Sequence, residues 1–203
     1  MKKLKTTEWS LTAPDTEENW CYNCNVLTPE RCKFITDISK NDVYAARVAN
    51  NDDYESVEDT NIRSSFVSLL DSSDPELEWL FRECTSQVLH LNDKFFHLDI
   101  EKIESLQYGE YRETANGHFD RHIDALRFSS GGFRKLSFSI QLSDPSEYEG
   151  GDLVLHYGPS GVVSPKEQGT LIMFPSTMLH EVTPVTRGVR RSLVGWVLGP
   201  RLK

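Results

Sequence analysis

Residues 169–198 read GTLIMFPSTMLHEVTPVTRGVRRSLVGWVL. Three short apolar or β-branched runs follow one another here, Thr170 to Phe174, His180 to Val185 and Arg191 to Leu198, and residues with Pro, Ser, Thr and Gly separate them. That rhythm predicts strands joined by turns. Working backwards, Gly151 to His156, Lys135 to Leu142 and Ile103 to Tyr108 repeat it, with turns at Gly158-Pro159, Glu149-Gly150-Gly151 and Ser143-Asp144-Pro145.

The first half reads differently. Thr28-Pro29-Glu30 opens a helix to about Ser39, with Thr28 as the cap and Pro29 at the first helical position. Asp74-Pro75-Glu76 opens a second, in which Leu77, Leu80, Phe81, Cys84, Val88, Leu91 and Phe95 recur at helical spacing and form one apolar face. Trp20 to Val26 reads as a strand, and the polar stretch Asn50 to Thr60 as an exposed loop. Helices followed by many short strands predict a mainly β fold with supporting helices, which buttress one face of an antiparallel double sheet or jelly roll. A chain of 203 residues with 38% hydrophobic residues fits a single domain over 1–203, with 1–100 a mostly helical support region and 101–200 the strand-rich core.

Within the strand-rich half lie His122-Ile123-Asp124, His180 and Arg190. Alternate residues of a strand share a face, so His122 and Asp124 can enter one cavity together. Two imidazoles and a carboxylate fill half an octahedron around ferrous iron and leave three positions open. His180 follows the turn-rich Phe174-Pro175-Ser176-Thr177 and is the candidate third ligand. Arg190 and Ser192 share a strand face, and a guanidinium fork beside a hydroxyl can grip one carboxylate.

At this point the chain resembles the prolyl 4-hydroxylase-like branch of the Fe(II)/2-oxoglutarate-dependent oxygenases. The resemblance rests on Leu106-Gln107-Tyr108, Phe119-Asp120-Arg121-His122-Ile123-Asp124, Leu142-Ser143-Asp144, Tyr148-Glu149-Gly150-Gly151-Asp152-Leu153, Gly169 to Pro175, His180 to Val185 and Gly188-Val189-Arg190, with Arg63-Ser64-Ser65-Phe66 upstream. It implies a double-stranded β-helix (jelly roll) over 101–200 with the N-terminal α-helices packed on one sheet, and Fe(II) held by His122, Asp124 and His180, which are thus the catalytic and metal set. It also implies 2-oxoglutarate as cosubstrate, its distal carboxylate on Arg190 with Tyr108 donating a hydrogen bond and Ser192 nearby. The segment Gly109 to His118 is longer than the resemblance leads one to expect, so Tyr111 stands as the alternative to Tyr108. His118-Phe119-Asp120 offers a second His-x-Asp, and His122 is preferred because Phe119 then precedes the first ligand at the family spacing.

The implied reaction couples O2 and the decarboxylation of 2-oxoglutarate to hydroxylation of an aliphatic C–H. A prolyl residue in a peptide or protein is the leading substrate, and a free amino acid or small metabolite the alternative. A catalytically silent β-helix binding module predicts loss of a ligand or of the cation, whereas all four residues are present. A cupin-type metal protein has no need of Arg190.

The remaining features bound the partners. A net charge of -9 disfavours a broad nucleic-acid or anionic-membrane surface. No apolar run spans a bilayer, and polar Thr6, Thr7, Glu8 and Ser10 after the basic start argue against a secretion signal, so a cytoplasmic, soluble protein is expected. Cys21-Tyr22-Asn23-Cys24 lacks a second pair for zinc and reads as two cysteines on an early strand. His156, ending a strand, is a candidate for the cavity mouth, while His90 and His97 read as structural.

Overall fold

A computed structural model describes residues 19–49, 56–125, 132–157 and 160–200. Fifteen strands and two α-helices appear among them. In chain order these are β1 (Cys21–Asn23), α1 (Pro29–Ser39), β2 (Tyr44–Ala45), β3 (Val48–Ala49), β4 (Ser56–Val57), β5 (Arg63–Ser64), β6 (Phe66–Leu70) and α2 (Glu78–Leu91). There follow β7 (Lys102–Arg112), β8 (His118–His122), β9 (Phe133–Gln141), β10 (Tyr148–Gly150), β11 (Leu153–Tyr157), β12 (Ser160–Val163), β13 (Leu171–Pro175), β14 (Leu179–Val182) and β15 (Val185–Gly199).

Two antiparallel sheets carry the molecule, and they are the two walls of a jelly-roll double-stranded β-helix. The major sheet runs β1-β13-β9-β15-β7-β6-β2, with β10 also on β15; the minor sheet runs β12-β11-β14-β8-β5. The pleat of the major sheet sorts its side chains into two cores. On one face Leu106, Phe138, Ile140, Leu193 and Val197 meet Ile35 of α1 and Leu80, Cys84, Val88 and Leu91 of α2. On the other, Tyr111, Ile172 and Phe174 meet Leu153, Leu155 and Val182 of the minor sheet.

The helices start where their caps put them. The Thr28 hydroxyl accepts from the Arg31 N–H, and Pro29 leads α1. Asp74 caps a single 3-10 turn, Pro75–Leu77, that feeds α2, and the helical run closes with a π turn, Asn92–Phe96, before His97 turns left-handed at φ 51°. No helix among the described residues is long and apolar enough to cross a membrane.

Several elements differ from the sequence reading. Beside the helices, residues 19–100 also supply β1, β2 and β6 to the major sheet and β5 to the minor sheet, while β3 and β4 pair with each other. Within the expected loop Asn50 to Thr60, Ser56–Val57 is a strand paired with Val48–Ala49, and residues 50–55 lie outside the described residues. β14 stops at Val182 rather than Val185, since Pro184 has no N–H to give a ladder. Cys21 is a buried β1 residue, but Cys24 is exposed in the turn beyond it.

Candidate metal and anion site

β8 and β14 pair so that His122 and His180 stand directly opposite, their ring centroids 4.1 Å apart. β8 ends at His122, and the chain then turns toward the major sheet, where the Asp124 N–H donates to the Ser176 carbonyl at 2.9 Å. The three side chains offer donor atoms that all lie within 4.8 Å of one another. Asp124 Oδ1 is 3.7 Å from His122 Nε2, and Oδ2 is 3.5 Å from His180 Nε2.

The backbone decides which ring nitrogens face the cluster. His122 Nδ1–H donates to the Asp120 carbonyl at 2.7 Å and His180 Nδ1–H to the Met178 carbonyl at 2.9 Å, which leaves both Nε2 lone pairs pointing inward. Phe119 stacks on His122 at 3.5 Å, and Phe174 closes on His180 at 4.7 Å. Burial, and then the neighbouring His180, hold the His122 imidazole down at about 4, so it is neutral and free to ligate at neutral pH. Burial opposes ionisation of Asp124, yet His180, His122 and the donor groups of Ser137 and Trp196 together hold its carboxyl below the usual range. The cluster therefore presents two imidazoles and one carboxylate, the donor set that suits ferrous iron.

Arg190 sits in the same cavity, which has a volume of about 630 Å³ and is also lined by Tyr111, Ser139 and Ser192. The guanidinium is 1% exposed. Its Nη2 donates to Gln141 Oε1 at 3.1 Å and its Nη1 lies 3.5 Å from Ser192 Oγ, while Nε has no partner. No carboxylate pairs with it among the described residues. A buried cation left without an anion costs several kcal/mol, so the site calls for an anionic ligand whose oxygens complete the fork. Gly151, at φ +57°, makes room for the arginine, since a Cβ there would come within 2.9 Å of Arg190 Cδ.

The structure separates the two tyrosines that the sequence left open. Tyr108 belongs to the helix-side core and donates its hydroxyl to Glu110 Oε2 at 2.8 Å, away from the cavity. Tyr111 faces the cavity directly across from Arg190, with the guanidinium carbon 5.3 Å from its ring centre. The expectation for Tyr108 is thus corrected by the two-residue pleat, which puts 108 and 111 on opposite faces. His118 also lies apart, its ring nitrogens against the carbonyls of Asn116 (2.7 Å) and Asn61 (3.2 Å). His156 is not among the cavity-lining residues; its Nε2 meets Glu181 at 2.8 Å.

The sequence reading missed Ser137, Trp196 and Gln141. Each lies on β9 or β15, and its place at the site follows from long-range pairing that short-range spacing does not carry.

Residues 106–198 match the model of the 2OG-Fe(II) oxygenase superfamily. A PKHD-type hydroxylase of Synechococcus sp. (strain CC9311) is 41% identical over 81 residues, 40% of this chain and 36% of that protein. PKHD-type hydroxylase PiuC of Pseudomonas aeruginosa is 43% identical over 90 residues, 41% of this chain and 39% of that protein. The aligned part spans less than half the length of these curated relatives. Among solved structures, a Pseudomonas putida prolyl-4-hydroxylase superposes with a TM-score of 0.67 at 19% identity, covering 91% of this chain and 94% of that one. A Trichoplax adhaerens prolyl hydroxylase, solved with a hypoxia inducible factor peptide fragment, gives 0.70 at 17% identity, over 89% and 84%. At such identities these structures speak to the fold.

Proposed function

We propose that this protein, whose residues 106–198 match the model of the 2OG-Fe(II) oxygenase superfamily and whose fold is prolyl-4-hydroxylase-like, is a 2-oxoglutarate-dependent dioxygenase that hydroxylates an aliphatic C–H, with a prolyl residue of a peptide or protein as its target. The observation that carries the reading is the unpaired, buried Arg190 sharing one cavity with the His122, Asp124 and His180 cluster. The donor set fits ferrous iron, and the buried Arg190 guanidinium fits the distal carboxylate of 2-oxoglutarate.

In this reading His122, Asp124 and His180 would hold the metal, and Arg190 with Ser192 and Tyr111 would bind the far end of the cosubstrate. Bound there, the iron and 2-oxoglutarate supply the O2 activation that links cosubstrate decarboxylation to hydroxylation. The chain's own contribution is orientation. The carbonyls of Asp120 and Met178 fix the imidazole tautomers, and Ser137 and Trp196 hold the Asp124 carboxylate. Phe119 and Phe174 exclude water from the flanks of the two rings. The relatives' names, hydroxylases of PKHD type and prolyl hydroxylases, support the prolyl target.

Anaerobic titration of the protein with Fe(II) and 2-oxoglutarate tests the proposal. A weak visible charge-transfer band that vanishes in Arg190→Met is expected, together with succinate release on admitting O2. Folded protein that binds neither metal nor cosubstrate would overturn the reading in favour of a silent binding module.

A further inference from the structure

The cavity mouth carries more positive charge than the cofactor chemistry uses. Among the described residues four arginines line the cavity, Arg47, Arg63, Arg134 and Arg190, against one acid, Asp124, in a chain where acids outnumber bases 31 to 22. Arg134 is neutralised by Glu104, which it meets through both Nε (2.7 Å) and Nη2 (3.0 Å). Ferrous iron with Asp124, and Arg190 with 2-oxoglutarate, would leave that part of the site neutral as a whole. Arg47 and Arg63 remain.

Neither has a carboxylate among the described residues. Arg63 donates to Ser65 Oγ at 2.8 Å and lies over the Phe119 ring at 4.6 Å, and Phe119 in turn stacks on His122. Arg47 is exposed and makes no hydrogen bond, ion pair or ring contact with a described residue. Beside them Ile62 and Ile123, 41% and 51% exposed, line the same cavity and give it an apolar lip. An apolar lip next to two cations that no described carboxylate compensates complements an aliphatic group that carries an anion close by.

We propose that the substrate bears a carboxylate near the carbon to be hydroxylated, and that Arg47, with Arg63 behind it, receives that carboxylate at the cavity mouth. The inference rests on the oxygenase reading above and narrows its substrate. Two sources offer the same chemistry: a Glu or Asp flanking the target residue in a peptide, or the carboxylate of a free amino acid.

The test is equilibrium binding under anaerobic conditions to protein loaded with Fe(II) and 2-oxoglutarate, followed by fluorescence anisotropy. Three labelled proline-containing peptides differ only in the residues flanking proline, which are Glu, Gln or Lys, and free L-proline competes as the second source. The Glu peptide is expected to bind about tenfold more tightly than the Gln peptide and the Lys peptide most weakly, with the preference shrinking as salt is added. Arg47→Gln should cut the Glu preference about threefold, and the charge reversal Arg47→Glu should turn it toward Lys. Competition by free proline that weakens in Arg47→Gln, without a preference among the peptides, assigns the carboxylate to a free amino acid and upholds the charge match. Equal affinity for all three peptides, with no Arg47-dependent competition by proline, in protein that shows the charge-transfer band, overturns the inference while leaving the oxygenase reading intact. Absence of the band in folded protein removes both.

Discussion

Tyr111 and Arg190 are direct partners across the β7–β15 pair, and the guanidinium carbon lies 5.3 Å from the centre of the Tyr111 ring. The ring shields one face of the cation and leaves the fork open to the cavity. Arg190→Met should therefore lower 2-oxoglutarate affinity about 100-fold, a loss typical of a buried charge-assisted pair, with metal affinity within about threefold of the wild type. Tyr111→Phe should cost about tenfold. Tyr108→Phe should leave cosubstrate affinity unchanged and destabilise the fold by about 1 kcal/mol, because Glu110 loses a donor. Calorimetric titration of metal-loaded protein reads the affinities, and an equal effect of the two tyrosine changes would refute the assignment.

The ligand set makes a sharper demand on histidines that look alike in sequence. Removing His180 or Asp124 as alanine should lower metal affinity more than 100-fold, whereas His118→Ala should leave it within about threefold and lower the melting temperature instead. Equilibrium dialysis with Mn(II) distinguishes them. Metal loss in His118→Ala would move the first ligand to the other His-x-Asp.

Ser137 and Trp196 reach Asp124 from the major sheet while the two histidines stand on the minor sheet. Ser137→Ala and Trp196→Phe keep every ligand and loosen one, so metal affinity should fall by about 10-fold to 100-fold. The same dialysis measures it, and unchanged affinity in both variants would show that Asp124 is held by its backbone alone.

Glu110 is buried, with Tyr108, Arg112 and Arg191 as partners. Burial pushes its carboxyl up, but the arginines and the tyrosine hydroxyl bring it below the ordinary value. A carboxyl depressed in the folded state contributes stability that is complete above its unfolded value and is lost as pH falls through the folded one. The wild type should thus lose this contribution as pH drops below the ordinary glutamate range, while Glu110→Gln, about 3 kcal/mol less stable at pH 7, should lack that part of the acid limb. Urea unfolding between pH 7 and pH 3 checks it; parallel curves for the two proteins would contradict the ion network.

How much of this could be read from the sequence depends on the range of the information. The start of α1 is local, written in Thr28 and Pro29, and the structure keeps it. The shared face of Arg190 and Ser192 needed only alternation along one strand, and both side chains line the cavity. Tyr108 failed because alternation has a phase, and the phase of β7 is set by α1 and α2 packing on Leu106 and Tyr108, which no neighbour in sequence announces. Strands β2 to β5 are two residues long, too short for any period to register. Glu110 reads as a surface residue until Arg191 is brought opposite it by pairing across strands.

The two metal-facing histidines stand on one sheet and Arg190 on the other, with Leu155, Ile172 and Phe174 packed in the space between. Stacked sheets keep a spacing of about 10 Å set by the side chains they trap. With 2-oxoglutarate bridging the two as proposed, the molecule would measure its length as a gauge measures a rod. A 2-oxo diacid one methylene shorter or longer should then fit one jaw and miss the other, and trimming Phe174, which lines the cavity, should reset the length that the gauge accepts.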